Sequence, residues 1–169
     1  DPIVAGSQIV MGLQTIVSRQ IDITQVPAVL TIGKFDGGVR HNIIPDKVEM
    51  FGTLRTFDKD MRADIMKRID LTATNIAESS GAQAKVKFNP GNNPVVMNNA
   101  QLTQRALPSL QRVAGEDKVV TLPLITGSED FAYYADMIPS LFFYVGVTPA
   151  GQDANAAPSN HSPLFYIDE

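Results

Sequence analysis

Cysteine is absent from all 169 residues, and its absence removes any disulfide framework, thiolate nucleophile or thiolate metal ligand. Histidine is scarce: the two are His41 and His161. Zinc takes three or four protein ligands, and no spacing of histidines and acids in this chain supplies them. With a net charge of −4, a sequence pI near 5.1 and no basic stripe, a nucleic-acid partner is not expected. The longest apolar runs, such as SLFFYVGV from Ser140 to Val147, fall far short of the ~20 residues that cross a bilayer, so no membrane partner is expected. No phosphate loop, G-x-S-x-G elbow, H-E-x-x-H pair, internal repeat, low-complexity tract or secretory-signal pattern is read in the chain. The absence of cysteine leaves the compartment open; the cytoplasm is the expected one, with a periplasmic or secreted protein as the alternative.

What is present is a hydrophobic share of 44%, enough for a packed core in one ordinary domain or two small ones. Ile3, Val4, Ile9, Val10, Leu13, Ile16 and Val17 recur at three and four residues, predicting a helix that Asp1 caps and Pro2 opens. Ala28–Phe35 and the alternating Lys47–Phe57 read as an antiparallel strand pair, joined by a long glycine- and proline-containing loop. Asp58 then caps a helix to about Ser80, with Met61, Ile65, Ile69, Ala73 and Ile76 as its stripe and Gly81 ending it. Residues 82–89 alternate as a strand, with Ala84, Val86 and Phe88 facing inward. This order, helix-strand-strand-helix-strand, is a βαββαβ motif without its first strand. Because the chain opens on Asp1-Pro2, the expectation is a processed protein or a piece of a longer one, with that strand upstream.

The segment 89–99 carries two prolines and several asparagines and reads as a boundary. Beyond it, Ala100–Ala114 is helical with Leu102, Ala106, Leu110 and Val113 on one stripe and Pro108 as a kink. Residues 119–124 and 140–147 read as strands, the second buried on both faces. A short helix between them has Ser128 near its N-cap.

Three places could carry chemistry. His161 stands in a loop stiffened by Pro158 and Pro163, which suits a ligand of fixed direction, imidazole being the commonest metal-binding side chain. Glu129 and Asp130 lie at a helix start. There they either complete an N-terminal cap with Ser128 or orient a metal ligand or substrate. Arg55 and Asn42 are either solvated or bind a carboxylate, to which the guanidinium fork is matched.

Four stretches occur together in order: residues 1–22 (DPIVAGSQIVMGLQTIVSRQID), 31–58 (TIGKFDGGVRHNIIPDKVEMFGTLRTFD), 127–147 (GSEDFAYYADMIPSLFFYVGV) and 160–169 (NHSPLFYIDE). In these the chain resembles, essentially end to end, the bacterial N-acyl-amino-acid amidohydrolases. These are the hippurate hydrolases, relatives of the plant auxin-conjugate hydrolases, within the dinuclear-metal aminoacylase–carboxypeptidase superfamily. The resemblance implies an α/β catalytic domain of zinc-peptidase type, interrupted by a ferredoxin-like βαββαβ lid or dimerisation domain of α+β type. Residues 1–95 would be the lid without its first strand, and residues 96–169 the C-terminal segment of the catalytic domain.

The resemblance also assigns roles. His161 matches the metal-ligating histidine of H-S-P. The remaining ligands, a Cys-x-His pair, a glutamate beside the general-base glutamate and another histidine, are expected before Asp1, as is a glycine-flanked lid histidine. Asn42 of N-x-I-P and Arg55 of G-T-x-R match lid groups that approach substrate, sometimes across a dimer interface. Glu129 and Asp130 of S-E-D-F would support the site or orient substrate. His41 stands where a small residue is expected, and its role is open. The implied cofactors are two divalent ions (Zn, Mn, Ni or Co), which this segment cannot fully bind, so alone it is expected to be inactive. The implied partners are a hippurate-like N-acyl-amino acid and a second copy docked through the lid. The alternatives are a non-catalytic dimerisation or interaction module and an unrelated small-ligand-binding α/β domain.

Overall fold

The computed structural model describes residues 1–89, 93–149 and 151–167. The first helix, α1 (Pro2–Thr15), starts as its sequence dictates: the Asp1 carboxylate accepts the Ile3 amide at 2.9 Å and Pro2 needs no partner for a missing N–H. It runs on through one wide turn, Ile16–Gln20. Its buried positions are Ala5, Gly6, Ile9, Leu13 and Ile16, while Ile3 and Val4, expected inward, are exposed. The inward face is set by where α1 meets α2 and the sheet, and at its first turn the smaller Ala5 and Gly6 take that face.

Strands β1 (Ala28–Gly37) and β2 (Val48–Thr56) pair antiparallel, from Ala28 opposite Thr56 to Gly37 opposite Val48, with a bulge at Gly33. Period-two alternation turns Ala28, Leu30, Ile32, Met50 and Leu54 toward the core and leaves Val29 and Phe51 outside. The close approach at the bulge requires a glycine: a Cβ on Gly52 would lie 2.3 Å from the Thr31 carbonyl oxygen. Helix α2 (Lys59–Ser79) begins where the Asp58 carboxylate accepts the Met61 amide at 2.6 Å. Its buried stripe is Ile65, Ile69, Ala73 and Ala77, with Met61 and Ile76 half-buried. Ile16 and Ile65, both wholly inaccessible, sit in the one core shared by α1, α2 and the sheet face.

Residues 82–88 keep the expected alternation, with Ala82, Ala84 and Val86 against that core and Gln83, Lys85 and Lys87 outside. Phe88, expected inward, is exposed. The segment joins no ladder among the described residues. A strand is defined by hydrogen bonds to a neighbour, and the sole described sheet is the β1–β2 pair.

The same holds in the second half. Helix α3 (Ala100–Ala114) is capped by the Asn99 carboxamide on the Leu102 amide and runs through Pro108 as one element. Leu102, Ala106 and Leu110 are half-buried and Val113 is exposed. Residues 119–124 and 140–147 are not strands among the described residues. Leu124 and Val145 are exposed by 66% and 72%, with no layer over them among the described residues. Helix α4 (Phe131–Met137) is capped at Asp130, not Ser128, and the Asp130 side chain does not close the cap. No helix of the described residues is long and apolar enough to cross a membrane.

Candidate functional site

Arg55, the penultimate residue of β2, points away from the core and donates from its guanidinium to the carbonyl of Thr126. This places the cation beside the Thr126–Glu129 loop, 71 positions away in sequence. Arg55, Thr126, Gly127, Ser128 and Glu129 all line a cavity of about 2400 Å³, which residues of β2, the 82–88 segment and residues 118–126 also border.

The residues that follow the loop are tied to the 93–99 segment and to one another. The Asn93 carboxamide donates to the Asp130 carboxylate at 2.8 Å. The Asn98 side chain imitates a β-bridge to Phe142, accepting its amide at 2.7 Å and donating to its carbonyl at 2.8 Å. The Asn99 amide meets the Ser140 carbonyl at 2.8 Å. Phe142 then stacks at a tilt on Phe131, ring centroids 5.3 Å apart, and edge-on against Tyr144 at 5.2 Å. Asp130 is thus committed to Asn93, whereas Glu129 is half-buried with its residue lining the cavity. The two neighbouring acids have different surroundings, and only Glu129 borders the cavity. Asn93 and Asn98 were legible only as boundary residues.

His161 is the third residue of the first of two consecutive turns: the Ser162 amide donates to the Ser159 carbonyl at 2.8 Å, and the Phe165 amide to the Ser162 carbonyl at 3.0 Å. Pro163 occupies the second position of the latter turn, where its fixed φ is favoured. A hydrogen bond of 2.6 Å from the Tyr166 hydroxyl to Gln152 ties the loop across its base. The imidazole is exposed and has no hydrogen-bond partner among the described residues. Its nitrogens are therefore free to coordinate, which fits one metal ligand. A complete centre is another matter: no three His, Asp or Glu side chains cluster to hold an ion among the described residues.

Asn42 and His41 are exposed in the loop joining the two strands, at the Gly37–Val48 end, where residues 37–45 border an open cavity of about 560 Å³ with Asp1 and Ile3. Arg55 is at the other end, opposite Val29. Seven residue steps along β2, at about 3.3 Å each, keep the two ends more than ~20 Å apart. Within one chain Asn42 and Arg55 therefore do not meet around one small carboxylate.

The chain matches peptidase family M20/M25/M40 over residues 5–167. It is 37% identical over its whole length to an N-acetyl-L-cysteine deacetylase of Bacillus subtilis, covering 38% of that protein. It is 34% identical to the IAA-amino acid hydrolase ILR1-like 2 of Arabidopsis thaliana, again covering 38%. Its backbone superposes on a crystal structure of a dinuclear metal-binding M20 peptidase from Bacillus subtilis with a TM-score of 0.80 at 33% identity, spanning 99% of this chain and 41% of that one. A second crystal structure, from methicillin-resistant Staphylococcus aureus, gives a TM-score of 0.85 at 33% identity over 99% of this chain and 42% of the other. The chain thus spans about two fifths of the length of the curated relatives it matches. Matched over nearly its full length by both sequence and backbone, the chain belongs to peptidase family M20/M25/M40.

Proposed function

We propose that the protein containing this chain hydrolyses the amide bond of N-acyl-amino acids with the help of divalent metal ions. The observation that carries this reading is Arg55, a cation held by the Thr126 carbonyl at the wall of a large cavity, with Glu129 on the same wall. A guanidinium at that position suits the free carboxylate of an acyl-amino acid. Two relatives, by name a deacetylase of N-acetyl-L-cysteine and a hydrolase of IAA-amino acids, favour the same substrate class.

In this reading residues 1–95 form most of a ferredoxin-like lid and residues 96–169 the closing part of the catalytic domain. His161 supplies one imidazole to the metal pair, and the other ligands come from the part of the protein outside this chain. Bound divalent ions supply a water of lowered pKa and polarise the scissile carbonyl. Arg55 holds the substrate carboxylate, Glu129 orients substrate, and Asp130 keeps the loop in place through Asn93. Asn42, remote from Arg55 in its own chain, serves the site of a second copy, as a homodimer through the lid would allow. The missing first strand would lie between β2 and the 82–88 segment, both of which border the large cavity.

The test is hydrolysis by the full-length protein, loaded with Zn²⁺ or Mn²⁺, of hippurate and other N-acyl-amino acids against their amide-capped forms. The expected result is turnover of the free acids with KM raised by capping; equal KM for both would remove Arg55 as the carboxylate site. A second reading, a dimerisation or interaction module, is favoured by one observation. The outer edge of β1 has no partner among the described residues, and such edges pair with other strands.

A further inference from the structure

The helices of the second half stand apart from the helices and strands of the first. Among the described residues, neither α3 nor α4 packs against α1, α2, β1 or β2. Among the described residues two polar contacts cross between residues 1–88 and residues 93–167: Arg55 to the Thr126 carbonyl, and Lys59 Nζ to the Asp136 carboxylate at 2.6 Å. Both start from one corner, the turn from β2 into α2, and end on the two sides of one loop-helix unit, 126–137.

The two charges of the ion pair are each misplaced on their own helix. Lys59 is the first residue of α2, beside the positive end of the helix dipole, and Asp136 stands in the last turn of α4, beside the negative end. Neither position is favoured by its own helix dipole, and the two charges meet across the joint at 2.6 Å. Departures from a local rule that are satisfied at long range mark positions where placement matters more than local stability.

We propose that Lys59 and Asp136 are positioning residues: their ion pair sets the approach of Arg55 to the Thr126–Glu129 loop and thereby the width of the substrate-carboxylate site. This rests on the amidohydrolase reading for its effect on turnover, but not for its effect on the joint. Arg55 spends one donor on a neutral carbonyl, and a carboxylate makes the stronger, charge-assisted bond. When substrate arrives Arg55 exchanges partners, and the Lys59–Asp136 pair keeps the loop in register while it does so.

The test uses the full-length protein with Lys59→Glu, Asp136→Lys and the double reversal, alongside the milder Lys59→Met and Asp136→Asn. Hydrogen exchange over residues 126–137 reads the joint, and hydrolysis of hippurate reads the site. The single reversals should speed exchange over 126–137 at least threefold and raise KM three- to tenfold with kcat within twofold. The double reversal should restore both to within twofold, and the neutral variants should fall between. Single variants with unchanged exchange, or a double variant as impaired as the singles, would overturn the proposal. A wild-type protein that hydrolyses no N-acyl-amino acid would overturn the amidohydrolase reading instead, and the exchange pattern would still decide the ion pair's role.

Discussion

Residues 1–88 and residues 93–167 obey the same local rules with different outcomes. In the first half α1 and α2 cover one side of the β1–β2 pair, and Ile16 and Ile65 lose all contact with solvent. In the second half the apolar segments 119–124 and 140–147 are at least as hydrophobic, yet Leu124, Phe143 and Val145 stay exposed. Periodicity is a property of a segment, but burial is a property of what lies opposite. The second half is built of elements whose partners are not among the described residues.

Core truncation separates the halves most sharply. Ile65→Ala should cost about 2–5 kcal/mol in denaturant unfolding of this 169-residue chain, as for a fully buried aliphatic side chain. Val145→Ala in the same chain should stay within ~0.5 kcal/mol. In the full-length protein its cost should rise to about 1–3 kcal/mol if the remaining chain covers that segment. Next, Gly52→Ala sets a Cβ against the Thr31 carbonyl at the bulge, where backbone must move, and should cost about 1–3 kcal/mol with the β1–β2 amides losing exchange protection first. Smaller again is the contrast of helix starts. Asp58→Ala, which removes a working cap, should cost about 1 kcal/mol by thermal unfolding, and Asp130→Ala, whose carboxylate caps nothing, less than ~0.5 kcal/mol.

The smallest effect is electrostatic and confined to the first half. The Thr24 hydroxyl, followed by the Thr24 amide and the Gln25 side chain, holds the Asp22 carboxyl below its ordinary 3.8. A depressed carboxylate stabilises the folded state fully above its unfolded pKa and loses that contribution as pH falls through the folded value. Thr24→Ala should therefore raise the Asp22 titration toward 3.8 in a carbon-detected NMR titration, and weaken the protein above, but not far below, that pH.

Legibility in the sequence follows the same division. The stripe of α2 and the bounds of α3 were readable because they depend on contacts three or four residues away. The strand-like 82–88 segment was readable in its alternation but not in its lack of a ladder, which depends on a neighbour. Of the proposed site residues, His161 was marked by H-S-P and its flanking prolines, and Arg55 by G-T-x-R. The partner of Arg55 was not, because a main-chain carbonyl 71 residues away leaves no local trace. Nor could residue types show that Asp130 is tied to Asn93 while Glu129 borders the cavity. Asn93, which ties Asp130, and Asn98, which ties Phe142, read only as boundary residues, since asparagine favours turns for unrelated reasons.

His161 carries an exposed imidazole within the Ser159–Ser162 turn, with no hydrogen-bond partner among the described residues. The most direct measurement is the divalent-metal content of the full-length protein and its His161→Ala variant by elemental mass spectrometry, read beside hippurate hydrolysis. Loss of bound metal, with at least a ~100-fold fall in turnover and an unchanged thermal unfolding profile for the metal-free forms, is the predicted result. Full metal occupancy and full rate in the variant would contradict it.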